Sequence, residues 1–562
     1  MTDLFPGLPG HLAIIIGLLL LLPVLPRRVP SIRLAVAALL IFFNIRYILW
    51  RFYETLPPPA FSATYIWSIV FFAAELLAIA ELTCHALICI RLSDRRAEAD
   101  RHERGLRERE DPPSVDVLIP TVNENAELLE RCIRAAQELD YPNFSVYVLD
   151  DGNRPWLKQL CREMGANYLT RPTRKGYKAG NLNFGLANTG GEFVLAVDAD
   201  FKVYPNLLWR TVGFMENPKI SIVQVPGNMT NPDPIQYNLL GEKAWPEDQR
   251  VFTDIVQPAR DTWDNAFCYG GVFLLRRTAA EEIGGIPEDS ITEDLYSSYA
   301  FRAKGYINRY LNETLNEGLA PESVGQFIVQ RVRWGLGTMQ CLYLKGGPFR
   351  VRGLSLLDRL FYLVPAVFYL GFFWSFLVLI APAIFWWTGI PPFTAGVGYM
   401  MRMLFPRMIA TMIIVYWMTD RRVVPIVSDV GRVVGIFYFI PALLRGIVHP
   451  FGYPYEVTLK GEARPNYVVQ WKVLRGILIL AAITVAGILV NVTSQGVWNV
   501  LWDPNMPMIM SLTVYVLWML LLAALVCVER PNPAGGLGLE HAAVEGSFVR
   551  SLGAIARRIL FA

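Results

Sequence analysis

Histidine is scarce in this chain. Five occur in 562 residues, and none lies between Gly105 and Val448. Chemistry carried by that stretch cannot rest on imidazole, so acid–base work there falls to carboxylates. The seven cysteines are scattered without a Cys-X-X-Cys, and Cys84 and Cys89 share one apolar run. Neither a zinc site nor a disulfide framework is implied. No Gly-X-Gly-X-X-Gly follows the first strand-like segment and no Gly-Lys-Ser/Thr loop occurs. That weighs against a nicotinamide cofactor and against a P-loop ATPase. Charge is sparse as well: 18% of residues are charged against 53% hydrophobic, and the net charge is +3. No nucleic-acid partner is expected, and a membrane protein is.

What is present bears this out in long apolar runs. Residues 11–24, 32–50 and 65–90 precede a polar middle, the third run interrupted by Glu75 and Glu81. Residues 360–387, 408–418, 476–492 and 508–528 follow it, giving about seven expected spans. Arginine placement sets the expected orientation. Arg27, Arg28 and Arg33 lie between the first two spans, and Arg91, Arg95 and Arg96 follow the third. Arg421, Arg422, Arg432, Arg445, Lys460, Arg464, Lys472 and Arg475 crowd the loop between the fifth and sixth. Residues 389–398 and 493–506 hold no Lys or Arg. The polar middle is therefore expected in the cytoplasm, with the N-terminus outside and the C-terminus inside. Residues 11–24 lack a basic n-region and read as an anchor rather than a signal-peptide core. The expected division is 1–95 for the first membrane helices, 96–345 for the cytoplasmic domain, 346–530 for the remaining membrane and interfacial helices, and 531–562 for a tail. The tail ends in an amphipathic segment, 548–561, with Arg550, Arg557 and Arg558, expected to lie on the membrane.

Residues 93–111 carry mixed charges and read as a solvated helix or linker. Beyond them, strand-like segments at 115–119, 146–149, 168–170 and 193–197 alternate with helical spacing at 128–139, 157–164 and 181–187. This is the pattern of a doubly wound α/β domain. Each strand ends in polar residues, and ligands bind beyond that edge in such sheets. Thr121 and Glu124 follow the first strand, and Asp150 and Asp151 end the second, where a ribose or base is gripped. Lys178 stands near a helix start, placed to meet phosphate. The run 193–197 reads as a buried strand of a parallel sheet and stops at Asp198-Ala199-Asp200. Residues two apart in an extended chain point the same way, so two carboxylates aim at one spot and suit a hard divalent cation on a diphosphate. A solvated acidic turn is the alternative reading. The turn 266–271 precedes a further strand, 272–275. Thr292 is expected to cap a helix with Glu293 and Asp294 in its first turn. Capping alone could account for Glu293, while Asp294 remains available as a base. Gln330 and Trp334 fall on one face of a helix spanning 326–339; an Arg/Trp helix at a membrane surface is the alternative.

Asp150-Asp151-Gly152, Asp198-Ala199-Asp200, Thr292-Glu293-Asp294 and Gln330-Arg331-Val332-Arg333-Trp334, in that order, resemble the signature of processive family-2 glycosyltransferases of the cellulose synthase branch. Lys178–Asn183 matches it too, and Tyr455-Glu-Val457-Thr458-Leu-Lys460 is similar to that branch's Phe-X-Val-Thr-X-Lys gating loop. The resemblance implies a GT-A-type domain inserted in a membrane bundle. It implies that Asp150, Asp151, Thr121 and Glu124 bind uridine, and that Asp198 and Asp200 hold the diphosphate through Mg2+ or Mn2+. It makes Asp294 the general base. Gln330, Arg331, Arg333 and Trp334 close over the diphosphate and bind the acceptor. Phe267, Cys268, Tyr269 and Glu293 border that acceptor, and the loop at about 451–465 caps the site. Trp374, Trp386 and Trp417 are expected to stack on sugar faces or to anchor at the interface. UDP-glucose, the growing β-glucan chain and the bilayer become the expected partners, with an accessory export subunit possible in principle, and a bacterial inner membrane the expected location. Three features depart from the cellulose pattern. The acceptor motif reads Phe-Cys-Tyr-Gly where Phe-Cys-Gly-Ser is usual, Phe201 replaces the frequent histidine after the second aspartate, and the tail is too short for a cyclic-di-GMP-binding PilZ barrel. The expected product is a linear β-1,3-glucan of the curdlan type, with a β-1,4 or mixed-linkage glucan as the alternative. A nucleotide-gated transporter is the reading from another class, and it leaves Asp294 without a purpose.

Overall fold

The computed structural model describes residues 8–453, 458–461, 463–493, 503, 505–532 and 548–561. Its central sheet is built from strands β1 (Val115–Thr121), β2 (Phe144–Asp150), β3 (Asn167–Leu169), β4 (Phe193–Val197), β6 (Ile220–Gln224), β7 (Val272–Arg276) and β8 (Ile307–Tyr310), while β5 (Lys202–Val203) pairs separately with Asn316–Glu317. The order is β3-β2-β1-β4-β7-β6-β8. Strands β1 to β4 are parallel, as expected for a doubly wound half. Here the all-parallel expectation for β4 needs correction, because its other neighbour, β7, runs antiparallel. Apolar residues alone do not encode direction: β1, β4 and β6 are buried along their whole length and read alike from either end. The reversal matters for the site. It brings the segment entering β7, Phe267 to Gly271, to the same edge as the C-terminal ends of β1, β2, β4 and β6. The Asp198 N–H donates to the Gly271 carbonyl at 2.9 Å, closing that edge.

The mixed-charge stretch before β1 forms the helix Arg96–Arg107. It is not wholly solvated: Ala99 and Leu106 are buried in the domain core, and Arg210 reaches Asp100 at 2.6 Å and Glu313 at 2.7 Å.

Among the described residues, seven helices are long and apolar enough to cross a membrane: Pro30–Thr55, Ala63–Ile88, Leu356–Thr388, Val397–Met418, Val427–Val448, Trp471–Thr493 and Met506–Val526. The run at 11–24 forms Leu8–Leu21, 14 residues long. At about 1.5 Å per residue that is roughly 21 Å, short of a hydrocarbon core of about 30 Å. The span expected at 408–418 begins instead at Val397, because Arg402 and Arg407 interrupted the apolar run without ending the helix. The Arg407 guanidinium lies over the Tyr47 ring and its Nε donates to Asn44 Oδ1.

Val427–Val448 lies where the sequence suggests only a basic loop. Arg432 and Arg445 masked its apolar face. Length and composition would let it cross a membrane, but its packing sets it apart. It runs along the helix Val324–Tyr343, with Gly431 facing Phe327, Gly335 facing Leu443 and Gly446 facing Met339. That neighbour is tied to the α/β domain, since Gln340 Oε1 accepts from the Ile291 N–H at 3.1 Å. Val427–Val448 is thus an interfacial element between domain and bundle.

One ion pair is buried inside the bundle. Glu75 accepts from Arg51 at 3.0 Å and from the Tyr47 hydroxyl at 2.6 Å, all three buried. An unpaired ion there would be costly. The tail segment forms the helix Phe548–Phe561. Ala554 and Ile555 pack into the core formed by Val526 and Cys527, and Arg558 donates to the Val528 carbonyl at 3.1 Å. It is docked beneath the end of the last long helix.

Candidate active site

The polar strand ends open onto one cavity of about 1210 Å³, which continues from the sheet edge between the membrane helices to Trp374 and Arg407. Thr121, Glu124, Asp151, Lys178, Asp198, Asp200, Phe267, Cys268, Tyr269, Glu293, Asp294, Gln330, Arg331, Arg333, Trp334, Thr458 and Lys460 all line it. Tyr455 and Val457 lie outside the described residues. Asp150 departs from expectation. Its carboxylate is buried and accepts from the N–H groups of Gly152 (2.7 Å) and Arg154 (2.6 Å), the Arg154 Nε (3.0 Å) and the Tyr168 hydroxyl (2.9 Å). It shapes the turn after β2 and has no face left for a ligand. Asp151 stands on the cavity wall with Arg171 gripping both oxygens, at 2.6 and 2.7 Å. The direction of Arg171 is not legible in the sequence. Thr121 and Glu124 bond to each other at 2.5 Å, and Arg154 ties Thr121 to the same network at 2.7 Å.

The two carboxylates after β4 each meet an ammonium. Lys178 Nζ is 2.5 Å from Asp198 Oδ1, and Lys460 Nζ is 2.5 Å from Asp200 Oδ2. Burial pushes the Asp200 carboxyl above the ordinary carboxylate value; Lys460 pulls it back and Asp198 adds to the rise. The solvated-turn reading does not hold, for these side chains are 29% and 15% exposed. Two carboxylates that each draw a cation, beside a cavity wide enough for a nucleotide, are a donor set that fits Mg2+ or Mn2+. Lys460 is then the counter-ion of Asp200 when no donor is bound. Lys460→Ala is expected to tighten Mn2+ binding to the nucleotide-free protein, read by the loss of the free-ion paramagnetic resonance signal. Unchanged affinity would show that the lysine and the metal do not compete.

Asp294 stands in the first turn of the helix Glu293–Ala303, with Thr292 at the cap position. The expected Thr292 cap is corrected: its hydroxyl faces Ser290 and Cys341 rather than the helix N–H groups. The Asp294 carboxyl is pushed up to about 7, first by burial and next by Glu293; Lys178, the Leu295 N–H and Arg333 oppose the rise. Gly270, at φ +83°, passes the carboxyl so closely that a Cβ there would stand 3.2 Å from Oδ2. Only glycine combines that backbone angle with that approach.

Gln330 and Trp334 share the cavity-facing side of Val324–Tyr343, and Gln330 Oε1 is buried without a hydrogen-bond partner. The Arg331 guanidinium stacks over Trp334 at 4.4 Å and pairs with Asp248 at 2.6 Å, a partner that sequence reasoning missed. Cys268 is buried, its N–H held by Ser298 at 2.9 Å. The Tyr269 ring lines the cavity and meets Phe252 edge-on at 5.1 Å, while its hydroxyl donates to the Val225 carbonyl at 3.2 Å. Of the three tryptophans expected to stack on sugar, Trp374 lines the cavity. Trp386 and Trp417 are buried among other side chains, 1% and 3% exposed, and are not on its wall.

Residues 116–284 match the glycosyl transferase family 2 model. The chain is 31% identical over 486 residues to the UDP-forming cellulose synthase catalytic subunit of Pseudomonas fluorescens (strain SBW25), covering 85% of this chain and 64% of that protein. It is 36% identical over 326 residues to cellulose synthase 1 of Komagataeibacter xylinus, covering 57% of this chain and 20% of that protein. Among solved structures, a mannosyltransferase from Pyrobaculum calidifontis in complex with GDP-Man and Mn2+ aligns with a TM-score of 0.42 at 17% identity, over 67% of this chain and 99% of that one. This chain thus spans less than two thirds of the length of the two cellulose synthase relatives. With the ordered motifs gathered on one cavity wall, residues 116–284 form a glycosyl transferase family 2 domain, and the chain is similar over most of its own length to the cellulose synthase catalytic subunits.

Proposed function

We propose that the chain polymerises glucose from UDP-glucose into a linear β-glucan and passes the product through its own membrane bundle. The observation that carries this reading is continuity. One cavity joins a nucleotide end at Thr121 and Asp151, a carboxyl at Asp294 poised near neutrality, and an exit lined by Trp374 between membrane helices. In this reading Asp294 takes the proton from the acceptor hydroxyl. The hydroxyl oxygen then attacks the anomeric carbon from the face opposite the leaving group. The bond from that carbon to the diphosphate oxygen breaks, and the diphosphate keeps the electron pair. Displacement from the opposite face inverts the anomeric centre and gives a β linkage. Arg333 and Lys178 supply positive charge beside the leaving group. Mg2+ or Mn2+, held by Asp198 and Asp200, would add its charge against the diphosphate. Trp334 offers a ring face for the acceptor sugar. A transporter needs no base, and the position and raised pKa of Asp294 speak against one.

The catalytic domain is assigned to the cytoplasm of a bacterial plasma membrane. Arginine placement supports this, and two helix ends touch the domain. The Ile88 carbonyl accepts from Trp263 Nε1 at 3.2 Å, and the Val526 carbonyl accepts from Asn238 at 3.2 Å. With Val427–Val448 interfacial, four helices after the domain return the chain to the same side.

For the linkage, β-1,3 is the reading we adopt, resting on Tyr269 and Phe201 at the acceptor end. The names of the relatives favour β-1,4 as the second reading. Digesting the insoluble product with β-1,3- and β-1,4-specific endoglucanases separates them. The adopted reading expects release by the first enzyme alone, and release by the second alone overturns it. Tyr269→Gly tests the residue itself. Removing a ring that stands against the acceptor site is expected to lower activity or mix linkages, because misplacing the reacting atoms costs about 10²-fold per Å. Linkage analysis that finds an unchanged product made at an unchanged rate would exclude Tyr269 from selection.

A further inference from the structure

A second acidic group, distinct from the carboxylates that follow β4, reaches the cavity wall at Asp248. Asp233, Glu247 and Asp248 each bring a carboxylate oxygen within 4.8 Å of the other two. No apolar pattern or motif flags them; they sit beside prolines, in Asn231-Pro232-Asp233-Pro234 and Pro246-Glu247-Asp248. Asp233 is 3% exposed and Glu247 1%. Backbone N–H groups satisfy part of the cluster. Asp233 Oδ1 accepts from Ile235 and Gln236, its Oδ2 from Asp248, and Glu247 Oε2 from Gln249. One oxygen is left over: Glu247 Oε1 is buried with no hydrogen-bond partner.

The charge balance is equally incomplete. Arg331 meets Asp248 alone, and the guanidinium of Arg250 is turned to Asp254 and Asn228. Three carboxylates, two of them buried, therefore share one contacting cation among the described residues. Buried charges are otherwise paired or coordinate a metal. A proton on Glu247, facing the carboxylates of Asp233 and Asp248, is the alternative partner, and it would neutralise only one of the three charges. Three convergent carboxylates suit a hard divalent ion.

We propose that Asp233, Glu247 and Asp248 form a second divalent-cation site, separate from Asp198 and Asp200, that takes Ca2+, Mn2+ or Mg2+. Its position gives it a purpose. Asp248 lines the cavity and holds Arg331, which stacks on Trp334. Asp233 caps the short helix Pro234–Asn238, whose Asn238 bonds to the end of the last long membrane helix at the Val526 carbonyl. A cation here would fasten the acceptor end of the cavity to the membrane bundle through one carboxylate at the cap of Pro234–Asn238 and two on the turn that holds Arg331.

The test uses the full chain purified in detergent, without nucleotide. Asp198→Ala/Asp200→Ala removes the donor-site ligands, and Mn2+ binding is then counted by paramagnetic resonance. One Mn2+ per chain is expected in this double variant, displaced by Ca2+, with affinity falling at least about tenfold when Glu247→Gln is added. Saturating Mn2+ or Ca2+ should also raise the unfolding temperature of the double variant, a readout available even if Glu247→Gln fails to fold. No stoichiometric Mn2+ and no thermal shift would overturn the proposal and leave a proton as the partner of Glu247. Binding that survives Glu247→Gln would overturn it too. None of these readouts depends on glycosyl transfer, so failure here and failure of the proposed activity are distinguishable.

Discussion

Asp294→Asn is expected to abolish polymer synthesis while UDP binding survives. No histidine lies between Gly105 and Val448 to stand in as a base. The Asp294 carboxyl shares the cavity wall with Asp198, Gln330 and Trp334. Losing a general base costs roughly 10²–10⁴-fold in rate, and the amide keeps the size and shape of the carboxyl. The raised pKa adds a pH signature. Below about 7 the carboxyl holds its proton and cannot accept another, so turnover should rise with pH through that region. Stability has the opposite sign. The folded-state pKa stands above its unfolded value, so between the ordinary carboxylate range and about 7 the native chain holds a proton that the unfolded chain has released. This group's contribution to stability therefore falls as pH rises through that window. Asp294→Asn should lose that dependence and gain stability relative to the parent at pH 8. Wild-type turnover in the variant would remove Asp294 from the mechanism.

Asp200→Ala is expected to lose both the metal dependence of UDP binding and most turnover. Asp200 is 15% exposed and paired with Lys460, and it shares the edge after β4 with Asp198. Deleting it removes one of two donors for the ion and leaves the lysine ammonium facing the diphosphate alone. Part of the binding charge is thereby kept, while the charge aimed at the leaving group is weakened. Loss of one well-placed electrostatic group costs about 10²–10³-fold in turnover. Titrating UDP with and without Mn2+ reads the result: equal affinity in both conditions is expected for the variant and a clear difference for the parent. A variant that keeps the parent's Mn2+ dependence would show that Asp200 is not a ligand.

Where the sequence was legible, one local signal dominated. The apolar run 193–197 and its abrupt acidic end placed β4 and both of its carboxylates, because burial on two faces and a sharp polar stop leave few alternatives. The helix of Gln330 and Trp334 was equally plain from its spacing. The antiparallel course of β7 was not, since direction depends on how the preceding segment returns to the sheet. Val427–Val448 was hidden by Arg432 and Arg445, which break its apolar run although the Arg432 guanidinium turns inward over the Phe368 and Phe372 rings and only Arg445 is exposed. Asp150 looked like a ligand because aspartates at strand ends often are. Only its four donors show that it is spent on the turn. The pairings of Lys460 with Asp200 and of Arg331 with Asp248 join residues 260 and 83 positions apart, a separation that no window of sequence reports.

Incorporation of labelled sugar tests the central claim most directly. The purified chain, reconstituted in lipid vesicles, is incubated with radiolabelled UDP-glucose and Mg2+, and the alkali-treated or filtered insoluble fraction is counted. The account predicts label in long insoluble chains from the earliest times, with release of UDP and no signal from Asp294→Asn. A parent protein that binds UDP yet leaves all label in UDP-glucose or free glucose would contradict it.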